Sequence, residues 1–66
     1  MKILFIISTA DGETIYNAMR LANTATQQGD EVAVFMLGQG VCFEQSGSEH
    51  FDVMGEIDKF GGDFFV

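Results

Sequence analysis

The chain has 66 residues, with 3 Lys and Arg against 10 Asp and Glu, so its formal net charge is −7. This length accommodates one domain, residues 1–66, and the acidic balance argues against nucleic acid as a partner, because phosphate binding depends on Lys and Arg. A single Cys and a single His exclude an internal disulfide and a Cys/His metal centre. We therefore expect no metal and no cofactor.

The first half of the chain predicts a β-α-β unit. Lys2–Ser8 is a short, branched and aromatic run, apolar on both faces, as in a strand covered by helices on both sides. Asp11 is placed to cap a helix that Gly29 ends, and Glu31–Leu37 reads as a second strand. The apolar positions of this helix recur at three- and four-residue steps: Ile15, Ala18, Met19, Ala22 and Ala25.

The second half predicts another helix and a third strand. Gly38–Gly40 reads as a flexible turn, and Ser46 with Glu49 has the spacing of a capping box at a helix start. Gly61 and Gly62 end that helix, and Asp63–Val66 begins a strand. The helix has an apolar side formed by Val53, Met54, Ile57 and Phe60. The predicted fold class is α/β, a three-layer α/β/α arrangement with a parallel sheet in the order β-α-β-α-β.

The predicted sheet favours association. Three parallel strands leave unpaired edges, and hydrophobic residues make up 47% of the chain, more than two helices can cover. We expect either a fragment of a larger domain or a homo-oligomer. The apolar run Ile3–Ile7 is too short for a signal peptide or a membrane span, and the lone thiol fits a reducing compartment, so we expect a cytoplasmic protein that does not bind membranes.

The loop after the first strand allows two interpretations. Ser8–Thr14 loosely resembles the phosphate loop of flavodoxins, which hold flavin mononucleotide. Asp11 and Glu13, however, place two negative charges where that phosphate would lie. The alternative, which we favour, is that Asp11 caps the first helix and that this loop binds no cofactor.

Two further side chains are candidates for chemistry. Cys42 follows the second strand near a helical turn, where a helix dipole can activate a thiol. Val41 and Phe43 flank it with apolar surface and Glu44 has the wrong charge, so we expect a buried, inert thiol and keep Cys42 as a weak catalytic candidate. His50 lies in an acidic helix start and is interpreted as a surface histidine.

Several motifs together resemble the DsrE/DsrF-like family along about the whole chain. They are the aliphatic strand Lys2–Ser8, the Y-N-A-x-R-L-A stretch Tyr16–Ala22, the turn Gly29–Val32 and the G-x-G-V loop Gly38–Val41. The resemblance implies a small α/β/α protein of the sulfur-relay type that assembles with copies of itself or with a related subunit. In members that carry sulfur, a persulfide forms on a cysteine directly after the third strand.

The chain departs from this family in two respects. Family domains are close to twice this length, so the resemblance implies the amino-terminal half of a domain, incomplete at its carboxyl end. The expected cysteine is missing after Phe64–Val66, and Cys42 does not inherit its role. We predict a function in sulfur relay, with enzymatic activity left open. The alternatives are a non-enzymatic oligomeric interaction module and a flavodoxin-like nucleotide or flavin binder.

Overall fold

The computed structural model describes residues 1–48 and 50–66 as a three-stranded parallel sheet with helices. The predicted α/β class and the β-α-β-α-β order are confirmed. Across the described residues, no helix is long and apolar enough to cross a membrane. The elements are β1 (Lys2–Ile7), α1 (Gly12–Gln27), β2 (Glu31–Met36), a 3₁₀ helix (Gly38–Gln45), α2 (Val53–Lys59) and β3 (Asp63–Phe65).

The strands lie in the order β1-β2-β3, so β2 is central and the other two are edges. In the parallel register, Lys2 pairs with Glu31 at one end of β1 and Ile6 pairs with Phe35 near the other. Phe65 of β3 is in turn the partner of Phe35. Because the strand order advances in one direction and crossovers share one handedness, both connections lie on the same side of the sheet.

Helix α1 begins and ends where the sequence predicts. The Asp11 side chain accepts a hydrogen bond from the Thr14 amide at 3.0 Å, which satisfies one of the free N–H groups of the first turn. At the other end, Gly29 has φ of 92°, a conformation that glycine adopts at little cost. The polypeptide then enters β2 two residues later.

The core lies between one face of the sheet and the two α-helices. We call this face the covered face, and its side chains are Ile7, Val32, Val34 and Met36. Asn23 links the helices, because its side-chain amide donates to the Glu56 carbonyl oxygen at 2.8 Å. The fully buried side chains all belong to this core, and the largest are Ile15, Met19, Met36, Val34 and Val53.

The opposite face of the sheet is apolar and exposed. Alternate residues of the strands point to it, and we call it the bare face: Leu4, Ile6, Ala33, Phe35, Leu37 and Phe65. All of these side chains are partly or largely exposed, and the rings of Phe35 and Phe65 stack with their centroids 5.8 Å apart. No helix among the described residues covers this face. The described residues therefore form two of the three predicted layers, the sheet and one layer of helices.

The segment between β2 and α2 differs from the prediction. Gly38–Gly40 is the start of a 3₁₀ helix and not a flexible turn. Helix α2 begins later than predicted, at Val53, because the Asp52 carboxylate accepts from the Gly55 amide at 3.0 Å and caps the helix there. Glu49, one member of the predicted capping box, lies outside the described residues.

Candidate functional site

The carboxyl ends of the parallel strands meet at one edge of the sheet, where open α/β sheets bind ligands. Ser8 follows β1, Leu37 follows β2 and Val66 follows β3. The Leu37 amide donates to the Ile7 carbonyl oxygen at 2.9 Å, so the first two loops leave the sheet side by side. This edge carries the residues that the sequence analysis singled out.

The loop between β1 and α1 is closed by its own hydrogen bonds. Asp11 Oδ2 accepts from both the amide and the hydroxyl of Thr14, at 3.0 and 2.6 Å, and the Asp11 amide donates to Thr9 Oγ1 at 3.1 Å. The Thr14 hydroxyl, and then its amide, hold the pKa of Asp11 below the ordinary value. The prediction that Asp11 caps α1 is confirmed, and its carboxylate uses an amide that a bound phosphate would need.

Two glycines bring the neighbouring segments into close contact at this edge. A Cβ atom on Gly40 would overlap the Ile7 carbonyl oxygen, and one on Gly12 would overlap the Ser46 carbonyl oxygen. The 3₁₀ helix is therefore packed directly on the ends of β1 and α1.

Cys42 lies on the 3₁₀ helix at this edge and is exposed. The prediction of a buried thiol is wrong. Phe43 fills the core side of the helix, with its ring edge-on to Phe64 at a centroid distance of 5.4 Å. Cys42 itself has non-helical backbone angles, φ −87° and ψ 16°, at a kink within this segment, and it is exposed beside the buried Phe43. Ser46 Oγ, 3.3 Å away, donates to the Cys42 carbonyl oxygen.

His50 is exposed, as the sequence analysis predicts for a surface histidine. Its backbone amide donates to Ser48 Oγ at 3.3 Å, in the turn that leads to α2. Within residues 1–48 and 50–66, no three His, Cys, Asp or Glu side chains come close enough together to hold a metal ion.

The sequence analysis missed a groove at the opposite, amino edge of the sheet. This groove has a volume of about 510 Å³ and is lined on one side by Gly61 and Gly62, which carry no side chain. Two of its acidic side chains pair within the chain: the Met1 ammonium lies 3.2 Å from Asp30 Oδ1, and Lys2 Nζ lies 3.8 Å from Glu31 Oε2. The adjacent glycines before β3 were the signal available in the sequence.

Comparison with known proteins gives one positive result. The model of the DsrE/DsrF-like family matches residues 1–57, a range that includes β1, α1, β2, the 3₁₀ helix and most of α2. No curated protein and no solved structure matches the chain. Because the family model covers more than half of the sequence, the chain belongs to the DsrE/DsrF-like family.

Proposed function

We propose that this protein takes part in sulfur relay, as one subunit of an assembly with a second copy or with a related DsrE-like chain. The observation that carries the proposal is the family match over residues 1–57, since the family is associated with sulfur relay. The proposal includes a cytoplasmic location, because an exposed free thiol persists in a reducing compartment.

Within this proposal, Cys42 is the residue that exchanges sulfur. It is the one thiol of the sequence, it is exposed, and it lies at the carboxyl edge of the sheet. The family's carrier position follows the third strand, where this chain has Phe64, Phe65 and Val66, so the role of Cys42 rests on its exposure and location and not on that position.

The step itself is a sulfur exchange without net oxidation. The Cys42 thiolate attacks the terminal sulfur of a donor persulfide, R–S–SH, and a new sulfur–sulfur bond forms as the donor's sulfur–sulfur bond breaks. Cys42 becomes the persulfide and the donor leaves as the thiolate R–S⁻. The exposed position favours a donor carried on the surface of another protein over a small molecule enclosed in a pocket.

The test is transfer of one sulfur atom to the full chain. Glutathione persulfide is the donor, and mass spectrometry measures the gain of one sulfur mass on the Cys42 peptide with time. The matched control moves the thiol to an exposed position of α1, in the double variant Cys42→Ser, Asn17→Cys. We expect the wild type to gain sulfur faster than the control. Equal rates would contradict the assignment of Cys42.

A second candidate function is a non-enzymatic interaction module, which the exposed apolar bare face favours. It requires only a partner and no reactive thiol. A flavodoxin-like binder has less support, because the Thr14 amide that would bind the phosphate already donates to the Asp11 carboxylate. Titration with flavin mononucleotide tests that alternative: saturable quenching of flavin fluorescence that Thr9→Ala abolishes would support it.

A further inference from the structure

We propose that Gly12 and Ser46 are positioning residues for Cys42, because together they hold the backbone conformation in which its thiol is exposed. The inference rests on the role that the proposed function gives to Cys42, and it names two residues that act on this thiol without taking part in the exchange. Their contacts join segments that lie within the family match, residues 1–57. The inference therefore does not depend on which segment covers the bare face.

Cys42 divides the 3₁₀ helix into two short pieces. The helix spans the eight residues Gly38–Gln45, and Cys42 interrupts it with ψ of 16°, where a 3₁₀ turn has ψ of about −20 to −30°. Runs of 3₁₀ structure longer than three or four residues are uncommon, so a break in a segment of this length is expected. A break interrupts the helical geometry, and the contacts at the two ends of the segment then set the direction of each piece.

Backbone contacts hold the chain on both sides of the kink. Before Cys42, Gly40 lies against the Ile7 carbonyl oxygen at the end of β1. After it, the Ser46 carbonyl oxygen lies against Gly12, the first residue of α1. A Cβ atom on either glycine would overlap the oxygen that it faces. Because both oxygens belong to the backbone, neither contact can be relieved by a change of side-chain rotamer.

Ser46 connects the start of α1 to the kink. Its amide donates to the Phe43 carbonyl oxygen at 3.1 Å, and its hydroxyl donates to the Cys42 carbonyl oxygen at 3.3 Å. The second bond is longer than the usual O–H···O distance of roughly 2.5–3.0 Å, so we expect it to contribute less than the contact with Gly12. With Phe43 buried in the core and Ser46 held on α1, Cys42 lies on the exposed side between them.

The test is the rate at which iodoacetamide alkylates Cys42 in the full chain, measured by mass spectrometry. Gly12→Ala places a methyl group against the Ser46 carbonyl oxygen, so the end of the 3₁₀ helix must move. We expect a lower rate constant than in the wild type, because thiol reactions depend on access and the released segment no longer holds the thiol outward. Gly47→Ala is the matched control: it adds the same methyl group beside Ser46 but meets only ordinary contacts, and the rate should not change.

A second set of variants keeps the proposal falsifiable if Gly12→Ala folds poorly. Ser46→Ala removes only the hydroxyl and should lower the Cys42 rate by a smaller amount, whereas Ser46→Thr keeps a hydroxyl and should retain the wild-type rate. The same Ser46→Ala change is also made in the double variant Cys42→Ser, Asn17→Cys, whose thiol lies on α1. There the alkylation rate should not change, because a general effect on the fold would act on both thiols and positioning acts on Cys42 alone.

Three results would overturn this inference: an unchanged Cys42 rate in Gly12→Ala or in Ser46→Ala, an equal loss in Gly47→Ala, or an equal loss at the thiol on α1. Alkylation measures access to the thiol whether or not Cys42 exchanges sulfur. If Cys42 gains sulfur from glutathione persulfide no faster than the control thiol, while Gly12→Ala still slows alkylation, the proposed function fails and the positioning role stands. The two proposals can therefore fail separately.

Discussion

The two faces of the sheet are built from neighbouring residues of the same strands, yet only one is buried by the chain. Met36 and Val34 on the covered face are fully buried, whereas Phe35 between them is exposed on the bare face. Both sets are apolar, so hydrophobicity does not explain the difference. The explanation is topological: the strand order β1-β2-β3 brings both helical connections to one side.

This comparison separates two kinds of information in an apolar strand. A strand that is apolar at every position has two faces suited to burial. Its sequence does not indicate which segment, or which molecule, covers each face. The side chains of the covered face stabilise the fold by packing against α1 and α2 of the same chain. The side chains of the bare face make no comparable contact with the described residues. Substitutions on the two faces should therefore differ in their effect on the free energy of unfolding.

The largest expected effect is a cavity beneath the helices. Met36→Ala removes a fully buried side chain of the covered face and should lower the free energy of unfolding by about 2–5 kcal/mol, because the core cannot close around the lost volume. A chain of this size has little stability in excess, so we expect urea denaturation, followed by circular dichroism, to find much of this variant unfolded.

The counterpart on the bare face is Leu4→Thr, measured in dilute protein so that chains are separate. Leu4 is largely exposed, and Thr keeps a β-branched side chain suited to a strand, so the free energy of unfolding should change by less than about 0.5 kcal/mol. A loss at Leu4 as large as the loss at Met36 would mean that the two faces do not differ as described.

Most of the fold can be read from the sequence because its signals are local. The helix cap at Asp11 and the left-handed Gly29 depend on a few adjacent residues, and both are found where predicted. The predicted start of α2 is wrong, because the cap of this helix is Asp52, which accepts from the Gly55 amide, and not Ser46. Nothing in a single sequence ranks such alternatives.

The candidate site was less predictable, because it depends on contacts between distant residues. The 3₁₀ helix is fixed by the approach of Gly40 to the end of β1 and by the contact of Phe43 with Phe64. These contacts determine that Cys42 points outward. Apolar neighbours in sequence suggested burial for this thiol, but Cys42 lies at a kink with non-helical backbone angles, and the burial of Phe43 does not extend to it.

A third prediction concerns the packing of the 3₁₀ helix on the covered side. Gly40→Ala places a methyl group against the Ile7 carbonyl oxygen, and since that atom belongs to the backbone, the helix must move. We expect a loss of about 1–3 kcal/mol in urea denaturation. Gly47→Ala is the control, because its new Cβ would meet only ordinary contacts. Equal tolerance of both changes would show that the close approach is not required.

A fourth, smaller effect is the pH dependence of the salt link between Glu56 and Lys59, which both lie on α2. Lys59 Nζ donates to Glu56 Oε2 at 2.8 Å, and this hydrogen bond holds the pKa of Glu56 below its ordinary 4.5, with Asn23 and the charges of Lys59 and Arg20 adding to the effect and burial opposing it. A lowered pKa in the folded state stabilises the fold above pH 4.5. That contribution is lost as pH falls through the lowered value.

The substitution that tests this link is Glu56→Gln, which keeps an oxygen that accepts from the Asn23 amide. It should reduce the loss of stability on acidification from pH 5 by about 1 kcal/mol or less, because the group is partly exposed. Asp58→Asn is the control, since Asp58 is exposed and takes part in no ion pair among the described residues. An identical acid response in Glu56→Gln and the wild type would contradict the assignment.

The last prediction concerns the outer side of α1, where other side chains of the chain pack on the Tyr16 ring. Phe51 packs on Tyr16 with ring centroids 5.5 Å apart, and the Arg20 guanidinium lies 5.8 Å from the Tyr16 ring centroid. Arg20→Ala should therefore lower the free energy of unfolding by about 0.5–1 kcal/mol, the range for exposed cation–π pairs. Because Arg20 also acts on the charge of Glu56, the single variant does not isolate the ring contact. A double-mutant cycle with Tyr16→Leu isolates it. We expect a coupling energy between Arg20 and Tyr16 of about 0.5 kcal/mol. Additive losses would contradict the ring contact and would mean that Arg20 acts through its charge alone.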